Sequence, residues 1–197
     1  MQMKCMELKS NKKILTYRHI SSATGEIVRY IKDRRTNKAK SLVTRWPKLN
    51  RLTMGGIEPN AIYTIAGISG SGKSSFVNSL ETDLIDLNQD ESTIVLSFSF
   101  EMLASKQVGR KLSYKLKKTT TELYSAAEAG PISEADIASV ESEAKEIVNY
   151  PIYYVDTPGN VQEIANTISF FQETLAKDKW LVVIIDHTLL IKGSGTG

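Results

Sequence analysis

The segment that decides the fold is IYTIAGISGSGKSS, residues 62–75. Its first five residues are apolar or favour extended backbone, and they predict a buried strand. A glycine-rich turn then leads into a helix that we predict over residues 73–88. The turn from Gly67 to Ser74 matches the pattern G-x-x-x-x-G-K-[ST] in full. A strand before this pattern and a helix after it are the context in which it forms a phosphate-binding loop.

Each residue type in this loop suits the binding of a nucleoside triphosphate. Glycines and small serines allow backbone N–H groups to point at phosphate oxygens, and the following helix presents its positive end. Lys73 would reach the β- and γ-phosphates, and the Ser74 hydroxyl would bind Mg²⁺. We therefore predict ATP and Mg²⁺ as cofactors. The predicted nucleotide-binding residues are Gly67, Ile68, Ser69, Gly70, Ser71, Gly72, Lys73, Ser74 and Ser75.

Strands alternate with helices in the rest of the sequence. Apolar runs predict strands over residues 93–99, 152–155 and 180–185. Helices are predicted over residues 103–118, 134–148 and 161–176, the second of them with a capping box of Ser133 and Asp136. This alternation implies a mostly parallel sheet covered by helices on both faces, which is a three-layer α/β/α fold.

Charge is distributed unevenly along the chain. Residues 1–51 carry 14 Lys and Arg against 3 Asp and Glu, whereas the remaining residues carry 11 against 19. A basic arm before an acidic body favours an anionic partner, or a segment that docks on a neighbouring subunit. A basic tail that is merely solvated is the alternative.

Composition also limits the compartment and the kind of site. Cys5 is the single cysteine, so no intrachain disulfide can form. The first residues lack the apolar core of a signal peptide, and no apolar run approaches the roughly 20 residues that span a bilayer. We predict a cytoplasmic protein without a membrane partner. With only His19 and His187 available, a metal site built from histidines is not expected.

Two acids could hold Mg²⁺ beside the phosphate-binding loop. Asp186 ends the apolar run of residues 181–185, which suits a central buried strand. Asp156 ends the strand of residues 152–155 and begins Asp-Thr-Pro-Gly, similar to the D-x-x-G switch of GTPases. No guanine-reading Asn-Lys-x-Asp motif follows the loop. We favour Asp186 and an ATPase, and a GTPase that uses Asp156 is the alternative.

Glu101 is the candidate general base. It follows the strand of residues 93–99, at the end of a parallel strand where ligands of open sheets collect. A carboxylate that faces the γ-phosphate can orient and deprotonate the attacking water. A solvent-facing glutamate at the start of a helix is an equally good interpretation of the local sequence.

From Trp46 to the end, the sequence resembles the RecA-type ATPase domain of DnaB-like replicative helicases. The blocks that carry the resemblance stand in the family's order: residues 44–50, residues 55–59, the phosphate-binding loop, Ser99 to Met102 with Gln107 and Arg110 downstream, and residues 182–186. The resemblance implies a RecA-like P-loop NTPase fold for residues 42–197. It implies Glu101 and Lys73 as catalytic residues and Ser74 and Asp186 as magnesium ligands.

The same resemblance implies a function. The chain would be the motor domain of an ATP-dependent DNA helicase of replication, which translocates on single-stranded DNA as a homo-hexamer. Residues 25–41 would form a linker helix that packs on the adjacent subunit, after a flexible basic lead of residues 1–24.

The sequence departs from the family after Asp186. The family continues Asp-Tyr-x-Gln, whereas this sequence has His187-Thr188-Leu189, and we assign His187 no catalytic role. The family's amino-terminal collar and its later DNA-binding loops, sensor strand and basic finger are expected to lie outside this sequence. Two alternatives to a helicase motor follow: another RecA-like ATPase, of the recombinase or KaiC type, and a non-catalytic nucleotide-binding fragment.

Overall fold

The computed structural model describes residues 16–187 and residue 191, in two compact units, Met1–Lys40 and Ser41–Gly197. The helices are α1 (Ile20–Arg35), α2 (Pro47–Leu52), α3 (Lys73–Asp86), α4 (Ala104–Leu116), α5 (Thr120–Leu123), α6 (Glu134–Ile147) and α7 (Val161–Glu173), with a 3-10 turn over Ala127–Ala129. The strands are β1 (Thr93–Ser99), β2 (Ile152–Val155) and β3 (Trp180–Asp186). No helix in the described part of the chain is long and apolar enough to cross a membrane.

In the first unit, the described residues contain the helix α1. His19 caps the helix, because its ring nitrogen Nδ1 accepts a backbone hydrogen bond from the first turn at 3.2 Å. Lys32, Arg34 and Arg35 lie in the last turn, where positive charge interacts favourably with the helix dipole. No residue of α1 is buried. The helix starts and ends earlier than the segment of residues 25–41, whose linker role stays a prediction.

The second unit is built on a parallel sheet with the strand order β2-β1-β3. On one side of β1, Val95 pairs with Ile152. On the other side, β1 pairs along its whole length with β3, so that Ser99 lies beside Asp186. All seven residues of β1 are buried, which is typical of a central strand covered on both faces. The prediction of a mostly parallel sheet with these three strands is confirmed.

Helices cover both faces of this sheet. Successive residues of β1 point to opposite faces. On one face, Phe98 packs in a cluster with Ile164 and Phe171 of α7. On the other face, Val95 packs in a cluster with Leu84 of α3. Each large apolar side chain buried in these clusters contributes about 1.5–3 kcal/mol to stability. The layers are therefore helix, sheet and helix, as predicted.

One predicted strand is wrong. Residues 62–66 form no strand in the structure, and Ile62 and Ile65 are 96% and 44% exposed. A strand is stable only when a neighbour satisfies its backbone hydrogen bonds. In the described part of the chain, both sides of β1 are occupied by β2 and β3, and no ladder includes residues 62–66. The apolar pattern is present, but in the described ladders no strand pairs with these residues, so the pattern alone does not make them a strand.

The remaining helices lie where the sequence predicts them, with ends that differ by a few residues. Helix α3 ends at Asp86 rather than at residue 88, and α7 ends at Glu173 rather than at residue 176. The capping box before α6 is present, because the side chains of Ser133 and Asp136 each accept a backbone hydrogen bond from the other residue. The short helices α2 and α5 were not predicted.

Candidate nucleotide-binding site

The glycine-rich loop has a backbone that requires glycine. Gly72, the residue before α3, has a φ of 89°, and Gly70 has a φ of 77°. Both values lie in the left-handed region that side chains with a Cβ rarely adopt. A Cβ on Gly67 would lie 2.5 Å from the Ser71 hydroxyl. The loop can therefore keep this close, turned path only with small residues.

The amino end of α3 is open to an anionic group. Gly72 supplies no side-chain cap, and the first turn contains no acidic residue. The first N–H groups of a helix have no acceptor within the helix and carry partial positive charge. The ammonium group of Lys73 donates to the backbone oxygens of Gly67 at 2.8 Å and Ile68 at 3.0 Å. Phosphate oxygens would be stronger acceptors for that ammonium group than these carbonyls.

Ser74 and Asp186 meet at the carboxyl end of β3. The Ser74 hydroxyl donates a hydrogen bond of 2.9 Å to Oδ2 of Asp186, whose residue is 9% exposed. A hydroxyl and a carboxylate are both oxygen ligands, which Mg²⁺ prefers, and this ion is held in proteins by few side chains together with phosphates. The pair fits a magnesium ion beside the phosphate-binding loop.

Asp156 has a different role in the structure. Its Oδ2 accepts a hydrogen bond of 3.1 Å from the backbone N–H of Ala104, the first residue of α4. A carboxylate in this place satisfies a free donor of the helix and interacts favourably with its dipole. Asp156 follows β2, and β1 separates β2 from β3. The structure therefore gives Asp156 a partner that is not the phosphate-binding loop.

We expect Asp186→Asn to weaken magnesium-dependent nucleotide binding by roughly tenfold or more, because hydrogen bonds and contacts to a charged group contribute about 1.5–3 kcal/mol. Asp156→Asn should leave that affinity within about twofold and should instead lower stability by about 1 kcal/mol or less, since amide oxygens also cap helices. Titration of a fluorescent ATP analogue, with Mg²⁺ and with EDTA, measures both affinities. A loss that occurs only in Asp156→Asn would show that the wrong acid was chosen.

Glu101 lies in the turn after β1, close to the end of β3. Its Oε2 is 3.9 Å from Nε2 of His187, and the two side chains are 60% and 37% exposed. Because His187 directly follows Asp186, Glu101 lies at the same edge of the sheet as the Ser74–Asp186 pair. From the sequence, His187 is expected to be a packing residue or a neighbour of the phosphates without a catalytic role, and the structure places it beside Glu101. Its position directly after Asp186 was the signal that could have placed it there.

Comparison with known proteins shows what the chain is similar to. The model of the DnaB-like helicase C-terminal domain family matches residues 41–197. A solved structure of an ATPase domain resembles this one with a TM-score of 0.69 at 18% sequence identity, covering 92% of this chain and 61% of that chain. A structure of a DnaB-like replicative helicase and its interactions with primase resembles it with a TM-score of 0.68 at 18% identity, covering 90% of this chain and 44% of that chain.

The chain thus spans less than two thirds of each of these two solved chains. Comparison with curated protein sequences finds no match. At 18% identity the structural likeness establishes the fold, and the predicted RecA-like P-loop fold is confirmed. The family model covers most of the sequence and includes the phosphate-binding loop, Glu101 and Asp186. The chain belongs to the DnaB-like helicase C-terminal domain family.

Proposed function

We propose that this chain is the motor part of a replicative DNA helicase, which hydrolyses ATP with Mg²⁺ to translocate on single-stranded DNA. One observation carries the proposal. The Ser74–Asp186 pair and Glu101 lie together at the carboxyl ends of the neighbouring strands β1 and β3, beside the amino end of α3. This is the edge of an open parallel sheet at which ligands bind.

Nucleotide binding would use the loop and the start of α3. The free N–H groups of the first turn and the ammonium group of Lys73 would hold the phosphate oxygens. The Ser74 hydroxyl and the Asp186 carboxylate would hold Mg²⁺, which would supply positive charge beside the phosphate oxygens. Because the ammonium group of Lys73 is held at the loop by two carbonyl oxygens, its positive charge is in place before a nucleotide binds. On binding, Lys73 would exchange these two acceptors for phosphate oxygens.

Hydrolysis would use Glu101 as the general base. Its carboxylate would orient a water molecule in line with the γ-phosphate and accept a proton from it as the water oxygen attacks phosphorus. The bond between phosphorus and the bridging oxygen breaks in the same step, and ADP leaves with that oxygen. Such a base typically contributes a factor of about 10²–10⁴ in rate. His187, 3.9 Å from Glu101, needs no role in this sequence of steps.

Helicase activity also requires an assembly and a nucleic acid. We propose a homo-hexamer in which residues 25–41, which include most of α1, dock on the adjacent subunit. The excess of positive charge in residues 1–51 supports an anionic partner, either single-stranded DNA or an acidic protein surface. The solved relative that interacts with primase makes a primase a further candidate partner. A cytoplasmic location stays a prediction from the sequence.

Phosphate release from bound ATP tests the proposal. We expect slow, magnesium-dependent turnover that single-stranded DNA accelerates and that Glu101→Gln lowers by roughly a hundredfold or more. Glu128→Gln is the matched control, because Glu128 is an exposed acid in the 3-10 turn of residues 127–129 and belongs to none of the elements that form the proposed site. Tight ATP binding without turnover would leave a non-catalytic nucleotide-binding module. Turnover without any effect of DNA would favour another RecA-like ATPase, and a preference for GTP would favour a GTPase.

A further inference from the structure

Gln107 is the centre of a buried chain of hydrogen bonds behind the proposed site. It lies on α4 and is 1% exposed. Its Nε2 donates to the hydroxyl of Ser99 at 2.9 Å, and its Oε1 accepts from Nδ2 of Asn78 at 3.0 Å. Ser99 and Asn78 are themselves 1% and 4% exposed. These hydrogen bonds between buried side chains therefore connect the three elements β1, α4 and α3. In such a buried environment a hydrogen bond is stronger than in water.

One end of this chain holds the turn that carries Glu101. The Ser99 hydroxyl donates to the backbone oxygen of Met102 at 2.7 Å, which closes a turn around Phe100 and Glu101. The backbone N–H of Phe100 in addition donates to the backbone oxygen of Asp186 at 3.0 Å. The Glu101 side chain is itself 60% exposed and has little packing of its own. Its position therefore depends on how firmly this turn is held.

The other end of the chain lies on the phosphate-binding helix. Asn78 is four residues after Ser74 on α3, so the two side chains lie on the same face of the helix, one turn apart. Nδ2 of Asn78 donates a further hydrogen bond of 3.0 Å to the backbone oxygen of Gln107. The helix that begins at the phosphate-binding loop is thus connected to the Glu101 turn by side chains that lie below the reacting groups.

The directions of these hydrogen bonds require a side chain that both donates and accepts. The Ser99 hydroxyl donates its one proton to the backbone oxygen of Met102, so it can only accept a hydrogen bond from a side chain on α4. The amide of Asn78 donates to Gln107 from its Nδ2, so at this point it needs an acceptor. A glutamine supplies both with the NH₂ and C=O of one amide. A carboxylate of the same shape would offer an acceptor to Ser99, and an apolar side chain would offer neither.

We propose that Gln107 is a positioning residue for ATP hydrolysis, which fixes the Glu101 turn relative to the phosphate-binding helix α3. The inference rests on the proposed function, because it assumes that Glu101 acts on a water molecule at this site. Gln107 is buried behind the proposed site, and it acts through its hydrogen bond to Ser99. Placement matters here because a shift of about 1 Å in a reacting group can lower a rate by about 10²-fold.

Gln107→Met tests the proposal, since methionine has nearly the same length but offers no amide. Ser99→Ala breaks the same hydrogen-bond chain at the end that holds the Glu101 turn and serves as a second variant. Ser97→Ala is the matched control, because Ser97 is equally buried in β1, two residues before Ser99, and takes no part in the chain of hydrogen bonds around Gln107. For each variant, ATP affinity, the single-turnover rate of phosphate release and hydrogen exchange of the backbone amides are measured.

We expect Gln107→Met and Ser99→Ala to bind ATP within about twofold of the unsubstituted chain, yet to release phosphate roughly tenfold more slowly. The amides of residues 100–102 should exchange about tenfold faster, whereas those of residues 94–98 should not change. In a Glu101→Gln background, neither substitution should lower the rate further, because residues that act through one another are not additive. Ser97→Ala should leave both the exchange of residues 100–102 and the rate unchanged.

An equal loss of rate with Glu101 in place and in the Glu101→Gln background would overturn the proposal, since it would show a general structural effect. Unchanged exchange at residues 100–102 would overturn it as well. Release of no phosphate by the unsubstituted chain would refute the proposed function instead. The exchange rates need no nucleotide, so they would still decide whether Gln107 fixes this turn.

Discussion

Lys73→Ala is expected to lower the affinity of the chain for Mg·ATP by roughly a hundredfold or more, because charge-assisted hydrogen bonds contribute about 1.5–3 kcal/mol each. Lys73 now donates to two carbonyl oxygens of the loop, so its ammonium group already lies above the place where phosphates would bind. Among the described residues of the loop, 67–75, no other side chain carries a positive charge. Alanine would therefore leave only neutral N–H groups to face the triphosphate.

Titration of a fluorescent ATP analogue measures this loss. Lys145→Ala is the control for the change in net charge, since Lys145 is an exposed lysine of α6. It should bind within about twofold of the unsubstituted chain, because exposed charges far from a ligand are screened by salt. Equal affinities of Lys73→Ala and Lys145→Ala would refute the assignment of the loop. A change in circular dichroism would identify a folding defect in either variant.

Lys111→Ala is expected to lower the free energy of unfolding by about 3–5 kcal/mol, since it leaves a buried carboxylate without its counter-charge. The side chains of Lys111 and Glu81 are 1% and 0% exposed, and Nζ lies 2.8 Å from Oε2. Burial lowers the pKa of Lys111, and the Glu81 carboxylate opposes that shift. The Tyr154 hydroxyl donates to the same Oε2 at 2.7 Å, and burial beside Glu81 raises the pKa of Tyr154. The other carboxylate oxygen, Oε1, is buried without a hydrogen-bond partner among the described residues.

Two further variants separate the buried pair from ordinary charge effects in urea denaturation. Lys115→Ala removes the ion pair of Lys115 with Asp86 at 3.2 Å, which is more exposed, and should cost about 1 kcal/mol or less. The double variant Lys111→Met/Glu81→Leu removes both buried charges and should lose much less stability than Lys111→Ala. Similar losses in Lys111→Ala and Lys115→Ala would contradict the view that burial of Glu81 determines the effect.

The parts of the fold that were predicted correctly depend on local sequence. Strands β1 and β2 have the predicted bounds and β3 extends one residue further, because short apolar runs between turn residues need only local patterning to be recognised. The capping box before α6 is a four-residue signal. The phosphate-binding loop is likewise contiguous. Asp186 ends an apolar strand and Glu101 follows one by two residues, so both could be placed at one edge of a parallel sheet, but only the family resemblance favours Glu101 as the general base.

The parts that could not be predicted depend on partners far away in the sequence. Residues 62–66 have the composition of a buried strand, yet composition does not say whether a neighbour pairs with them. A lysine and a glutamate on helices are expected at the surface, and nothing near Lys111 or Glu81 in the sequence shows that each is the other's buried partner. The same holds for Gln107, whose two partners lie on α3 and β1. In the sequence, Gln107 stands out only as part of a block that resembles the DnaB-like family, and that resemblance does not show which groups it bonds.

The sheet also affects how the chain must fold. Within the named strands, every pair joins segments that are far apart in sequence: Val95 pairs with Ile152, and Thr93 pairs with Trp180. Such pairings form slowly, because the entropy cost of closing a long loop comes before any stabilising contact between the strands has formed. During synthesis, β1 leaves the ribosome before either of its neighbours exists. Its edges then lack their strand partners until β2 and β3 have been made, and unpaired edges of this kind make a nascent chain prone to aggregation.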